Sequence, residues 1–66
     1  MKATNAQSVL MNTPHSDMDT ILRSLYDNIY AKLAVRNIVK YTSYTLFYFA
    51  DGSSIIKQGG EYREYK

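Results

Sequence analysis

Apolar residues in the first half of the chain recur at intervals of three and four. They begin after Pro14 and comprise Met18, Ile21, Leu22, Leu25, Ile29 and Leu33. At about 100° per residue these side chains form one stripe, which predicts a surface helix that buries one face. Ser16 is the predicted N-cap, because its hydroxyl can accept a bond from a free amide of the first turn. The helix is expected to end near Arg36 or Asn37.

Residues 1–15 mix small and polar side chains around Val9-Leu10-Met11, without a comparable stripe. They close with Thr13-Pro14, which interrupts any helix begun earlier, because proline lacks an amide hydrogen and restricts the residue before it. This pattern predicts a flexible N-terminal arm, followed by a single small domain over residues 16–66.

From Ile38 to Phe49 the pattern becomes extended, with β-branched and aromatic residues dominating. Asp51-Gly52 predicts a two-residue type I′ hairpin turn, and that turn would place Phe47 opposite Ile56. Gly59-Gly60 predicts a second tight turn, after which residues 61–66 form a third strand. The expected fold class is therefore α+β, with one amphipathic helix packed on a three-stranded antiparallel β-meander.

Alternation along the strands divides their residues between two faces of the sheet. The helix stripe is expected to cover the more apolar face, which carries Val39, Tyr41, Thr45, Phe47, Phe49 and Ile56. The other face carries Thr42 and the residues that form the predicted partner-binding surface: Lys40, Tyr44, Leu46, Tyr48, Ile55, Lys57 and Tyr62. Large apolar residues left uncovered usually mark a contact surface.

Composition narrows the class of protein. Hydrophobic residues make up 45% of the 66 residues and charged residues 21%, which is typical of a globular chain. So short a chain buries only about 60% of its unfolded surface, and with Cys 0 it has no disulfide to compensate. Assembly with other subunits is the simplest remaining way to gain stability, so a homo-oligomer is expected, with a well-packed monomer as the alternative.

Residues that could carry chemistry are few. His15 is the only histidine, and Asp17 and Asp19 diverge by about 200° on a helix, so neither a catalytic triad nor a metal site is expected. Gly59-Gly60 lacks the lysine and hydroxyl residue of a phosphate loop. The sequence therefore predicts no enzyme, no cofactor and no metal. With no signal peptide and no run near the roughly 20 apolar residues that span a bilayer, a cytoplasmic protein without membrane contact is expected.

Two functions fit this pattern. The first is a protein-protein interaction module, because tyrosine with serine and threonine is the composition of many binding surfaces. Its sharper form is a small inhibitor that modulates another protein, as compact phage and mobile-element proteins do. The alternative is nucleic-acid binding, through bases stacked on the tyrosine and lysine face or through a winged-helix-like hairpin. A net charge of only +2 and the missing glycine pattern of an RNA-binding sheet argue against it.

Overall fold

The protein has two helices followed by four strands, as a computed structural model that describes residues 2–65 shows. Its elements are α1 (Asn5–Asn12), a 3₁₀ turn (His15–Asp17), α2 (Met18–Asp27), β1 (Val35–Lys40), β2 (Thr45–Phe49), β3 (Ser54–Gln58) and β4 (Glu61–Tyr65). The strands form one antiparallel sheet in chain order. The α+β meander class is confirmed, with one helix and one strand more than predicted.

Helix α1 lies in the segment for which the sequence analysis predicts an arm. Its first turn is closed by a capping box. The backbone amide of Gln7 donates to Thr4 Oγ1 (3.1 Å), and the backbone amide of Thr4 donates to Gln7 Oε1 (2.9 Å). Ala6 and Val9 are buried against the rest of the molecule. Residues 5–12 are therefore a docked helix, whereas Met1 lies outside the described residues.

Helix α2 begins at Met18, two residues after the predicted N-cap. The 3₁₀ turn occupies Ser16, and Asp17 stands at the cap position without a side-chain hydrogen bond to the helix. Met18 and Leu22 are fully buried. The start of the stripe is thus confirmed, whereas the capping role of Ser16 is wrong.

The same helix ends at Asp27, well before the predicted end near Arg36 or Asn37. The side chain of Asn28 accepts a hydrogen bond from the Tyr30 amide (3.1 Å), and its carbonyl accepts one from Ala31 (3.0 Å). Asparagine competes with the helix by such local bonds. The apolar period continues past this point, but Ile29 is 69% exposed and contributes nothing to the stripe.

The long aromatic strand predicted from Ile38 to Phe49 is two strands. The chain reverses at Thr42-Ser43, where the Tyr41 amide donates to the Tyr44 carbonyl (2.8 Å). In one continuous strand all odd-numbered residues would share a face. The reversal instead pairs odd-numbered with even-numbered residues, so that Val39 lies beside Leu46 on the same face. Arg36 is the extra residue of a bulge between Val35 and Asn37.

The β2–β3 hairpin has three loop residues, Ala50 to Gly52, not two. The Gly52 amide donates to the Phe49 carbonyl (3.1 Å), and only glycines among residues 2–65 have positive φ, with Gly52 at 88°. Asp51 therefore does not have the left-handed conformation that a type I′ turn needs, and the loop is a type I turn followed by a left-handed glycine. The added residue shifts the register, so that Phe47 lies opposite Ile55.

The last hairpin forms as predicted. Gly59 and Gly60 both have positive φ, 60° and 82°, which is the type I′ conformation, and Lys57 lies opposite Tyr62. The third predicted strand is β4, although Lys66 lies outside the described residues.

The core lies between the two helices and one side of the sheet. Its buried residues are Ala6, Val9, Met18, Leu22, Val35, Phe47, Phe49, Ile55 and Tyr62. The predicted core positions of Phe47, Phe49 and Leu22 are confirmed. The prediction that Ile56 belongs to the core is wrong. The register shift puts Ile55 in that position instead, where it has no exposed surface.

Candidate functional site

The side of the sheet away from the helices is apolar. Strand register places Val39, Leu46 and Ile56 in one row across β1, β2 and β3, with Tyr48 in the next row between Asn37 and Ser54. We call this side the open face and define it by Val39, Tyr41, Tyr44, Leu46, Tyr48, Ile56 and Tyr65. Both helices pack on the opposite side, so none of these residues belongs to the core cluster.

The open face is already ordered by its own side chains. Leu46, at its centre, is only 3% exposed although no helix covers it, whereas Tyr41 and Tyr65 at the margins are 51% and 44% exposed. The Tyr41 and Tyr44 rings stack with centroids 4.7 Å apart at 30°. A partner would thus meet aromatic rings that lose little side-chain freedom on binding.

The β4 edge of this side carries charged groups. Arg63 follows Ile56 in the central row, and its guanidinium donates to Gln58 Oε1 (3.0 Å). Glu61 lies opposite Gln58 in the neighbouring row. An apolar centre with a polar margin is the usual arrangement of a protein interface.

The seven residues of the predicted partner-binding surface do not share one face. Leu46 and Tyr48 lie on the open face, as the register with β1 and β3 shows. Alternation from Leu46 puts Tyr44, just before β2, on the same side. Lys40, Ile55, Lys57 and Tyr62 lie on the helix side instead. Of the latter, Ile55 has no exposed surface and Tyr62 only 6%. The predicted single surface is therefore wrong.

Val39, Tyr41, Ile56 and Tyr65 were missed by the sequence reasoning, which assigned the first three to the helix side. One signal could have revealed the error. A strand running from residue 38 to 49 would be about twice the usual length of five to six residues, which favours a reversal inside it. With that reversal, Val39 and Tyr41 move to the open face.

The hydrogen bonds of Asp51 are the main electrostatic feature outside the open face. Its carboxylate accepts bonds from the Ser53 hydroxyl, the Asn5 amide (2.9 Å) and the Ser53 amide (3.0 Å). These bonds stabilise the ionised form and lower the pKa of Asp51 below its ordinary value of 3.8. They join α1 to the β2–β3 loop, which is a structural role.

Residues 2–65 contain no group of three or more His, Asp or Glu side chains that could hold a metal ion. His15, the lone histidine, packs edge-on against Tyr62 with ring centroids 5.9 Å apart. Over the same residues no helix has the length and apolarity needed to cross a membrane.

Comparisons of the chain with protein-family models, with curated proteins and with solved structures found no match.

Proposed function

We propose that this chain is a cytoplasmic, non-enzymatic interaction module that dimerises through the open face and binds and modulates another protein. One observation carries the proposal: large apolar side chains occupy both sides of the sheet, while both helices pack on one side only. The remaining side exposes Tyr41 and Tyr65, which are 51% and 44% accessible. Exposed apolar surface of this kind is characteristic of contact sites.

The pattern of the open face suits a second copy of the same chain. A two-fold axis parallel to the strands would lay β2 of one copy over β3 of the other. The row of Leu46 and Ile56 would then lie over its own copy, as would the row of Tyr48 and Ser54. Ile56 and Tyr48 would supply the contacts, because Leu46 and Ser54 are each only 3% exposed. Across the interface Arg63 would face Val39 and Glu61 would face Tyr41, so neither would meet a charge of its own sign. The face is therefore compatible with self-association in this orientation.

The size of the face sets the expected strength. Four strands about 4.8 Å apart and about 17 Å long present a patch roughly 19 Å wide, or about 300 Å² in projection. Side chains make the accessible area larger than this projected area, but it is still less than the roughly 800 Å² per partner of a stable interface. The dimer is therefore expected to be weak and concentration-dependent, which leaves the face available to a foreign protein.

Nucleic-acid binding has less support from the geometry. Bases could stack on Tyr44 and Tyr48, but Lys40 and Lys57, which would neutralise phosphate, lie on the helix side. Arg63 is the cation in the central row of the open face, and binding to single strands depends strongly on such charges. The winged-helix version has a further difficulty, because the Ser53 hydroxyl in the hairpin loop accepts a bond from the Ala6 amide (3.1 Å). The loop is thus joined to α1 instead of projecting as a wing.

Light scattering at several protein concentrations tests the dimer. We expect the wild-type mass to rise with concentration and Tyr48→Glu to remain monomeric with an unchanged circular dichroism spectrum. Tyr30→Glu is the matched control, because it makes the same chemical change at a tyrosine that is 90% exposed in the α2–β1 connection. Equal behaviour of the two variants would contradict the proposal.

A titration with labelled single-stranded oligonucleotides at physiological salt distinguishes protein binding from nucleic-acid binding. We expect no saturable binding. Micromolar binding that Tyr48→Glu abolishes and Tyr30→Glu preserves would assign the open face to nucleic acid.

A further inference from the structure

A cleft of about 740 Å³ lies between α2 and the helix side of the sheet. It is on the opposite side of the sheet from the open face, so it is independent of the proposed function. Its volume falls within the roughly 300–1,000 Å³ of small-molecule sites, which are usually apolar with a few well-placed polar groups.

The apolar part of the lining is partly aromatic. Ile38 of β1 and Phe47 of β2 are cross-strand partners and form the floor, while Tyr26 of α2 borders the cleft from the helix. Tyr26 is 46% exposed, so its ring is accessible to a ligand. An aromatic ring between this tyrosine and the floor would gain both apolar burial and ring packing.

The polar part of the lining is a row of three residues across the sheet. Lys40, Thr45 and Lys57 are consecutive cross-strand partners in β1, β2 and β3. Cross-strand partners have Cβ atoms about 4.5–5.5 Å apart, so the Lys40 ammonium and the Thr45 hydroxyl can reach one anionic group together. This pair gives the cleft an anion-binding end.

Existing ion pairs make Lys40 the cation that is free to bind. The Lys57 ammonium is 3.7 Å from Asp19 and lies 5.6 Å from the centroid of the Tyr62 ring, so it already has partners. Arg23 also pairs with Asp19, at 4.0 Å. Over residues 2–65 no carboxylate lies within 4.0 Å of the Lys40 ammonium.

The charges around the cleft also limit the ligand. Arg23, Lys40 and Lys57 contribute three positive charges, whereas Asp19 and Asp27 contribute two negative ones. The one positive charge in excess is matched by a monoanion. A second negative charge on the ligand would meet the two carboxylates without a free cation to balance it.

We propose that this cleft binds a small aromatic monoanion, such as an aryl carboxylate or sulfonate. The acidic group lies between the Lys40 ammonium and the Thr45 hydroxyl, and the ring lies against Tyr26, Ile38 and Phe47. Because Lys40 is exposed and outside the core, replacing it does not disturb the fold.

Naphthoate is a suitable probe, with naphthalenemethanol as its neutral counterpart. Each is titrated into the isotope-labelled full chain while backbone amide shifts are followed by nuclear magnetic resonance. We expect saturable one-to-one binding of naphthoate with shifts at Ile38, Lys40 and Thr45. Naphthalenemethanol should bind more weakly, because it keeps the ring and lacks the charge.

Two variants that each remove one cation decide the role of Lys40. We expect Lys40→Ala to raise the Kd for naphthoate at least about threefold, the scale of an exposed charge pair, and Arg63→Ala on the open face to leave it unchanged. Support requires saturation, shifts at the cleft and this difference between the variants. Absence of saturation, shifts centred on Tyr44 and Tyr48, or equal effects of the two variants would each overturn the proposal.

Discussion

At the scale of single residues, Asp51 holds together two parts of the chain that lie far apart in sequence. Its carboxylate accepts the amide hydrogen of Asn5 at the start of α1, while the neighbouring Ser53 hydroxyl accepts that of Ala6. The first turn of a helix has free amides and a positive dipole end, and both favour a carboxylate there. The loop residue that fails to form the predicted turn type therefore has a specific role in docking α1.

The lowered pKa of Asp51 predicts a pH-dependent contribution to stability. Because the folded pKa lies below the ordinary value of 3.8, the contribution is fully present above that pH and is lost as the pH falls towards the folded pKa. Asp51→Asn should therefore be less stable than the wild type at neutral pH, and the two should converge as the pH drops below 3.8. Urea unfolding at a series of pH values measures the difference. A gap that stays constant down to acid pH would show that ionisation of Asp51 is not involved.

At the scale of elements, α1 and α2 each contribute two buried residues to the core. Ala6 and Val9 join the same buried cluster as Met18 and Leu22, and they meet it from the β3 and β4 side of the sheet. Thr4 and Gln7 add hydrogen bonds to the Glu64 carboxylate, each of 3.0 Å. The helix is fixed by both its apolar face and its first turn.

Two residues of α1 test this docking on a single helix. Val9 is 3% exposed and Met11 is 78% exposed, so the same substitution should destabilise the protein far more at Val9 than at Met11. Val9→Asp places a carboxylate in the core and should cost at least about 3 kcal/mol or prevent folding, whereas Met11→Asp should cost no more than about 1 kcal/mol, the scale of a carboxylate at the negative end of a helix. Thermal unfolding followed by circular dichroism gives both values. Similar stabilities would mean that α1 does not dock as described.

Some of these elements were readable from the sequence and others were not. The Gly59-Gly60 hairpin was predicted correctly, because a type I′ turn needs positive φ at both central residues and glycine adopts it without strain. Helix α1 could have been found from Thr4-x-x-Gln7, which is a capping-box pattern, with Ala6, Val9 and Leu10 at helical spacing. The end of α2 is harder, since the apolar period continues to Leu33 and only the local bonds of Asn28 interrupt it.

The division of residues between the two faces depended on turn lengths, which local patterns specify poorly. Each loop residue gained or lost exchanges the faces of everything that follows. The reversal at Thr42-Ser43 offers no glycine or proline, and Asp51-Gly52 is compatible with loops of two or three residues. Phe47 was placed correctly, whereas Ile55 and Ile56 were exchanged. The candidate site inherited that error, because it was derived from the faces alone.

At the scale of the whole molecule, the sheet separates two surfaces of different chemistry. The helix side contributes the core and, at one end, the cleft with Lys40 and Thr45. The open face has no helix over it and carries Leu46 and Tyr48 at its centre. So small a domain has little stability in reserve. Burial of the open face by a second copy would therefore affect the stability of the entire fold.

The proposed dimer predicts a melting temperature that depends on protein concentration. Association stabilises the folded state, and for a dimer each tenfold increase in concentration above the Kd adds about 0.7 kcal/mol per chain, or a few degrees in Tm. The wild-type Tm should therefore rise with concentration, whereas that of Tyr48→Glu should be constant. Tyr30→Glu should keep the wild-type dependence. The comparison uses the slope, so a variant that is merely less stable still gives an interpretable result. A wild-type Tm that does not change with concentration, together with a constant mass in light scattering over the same range, would exclude the homodimer at those concentrations and leave the open face to a foreign protein.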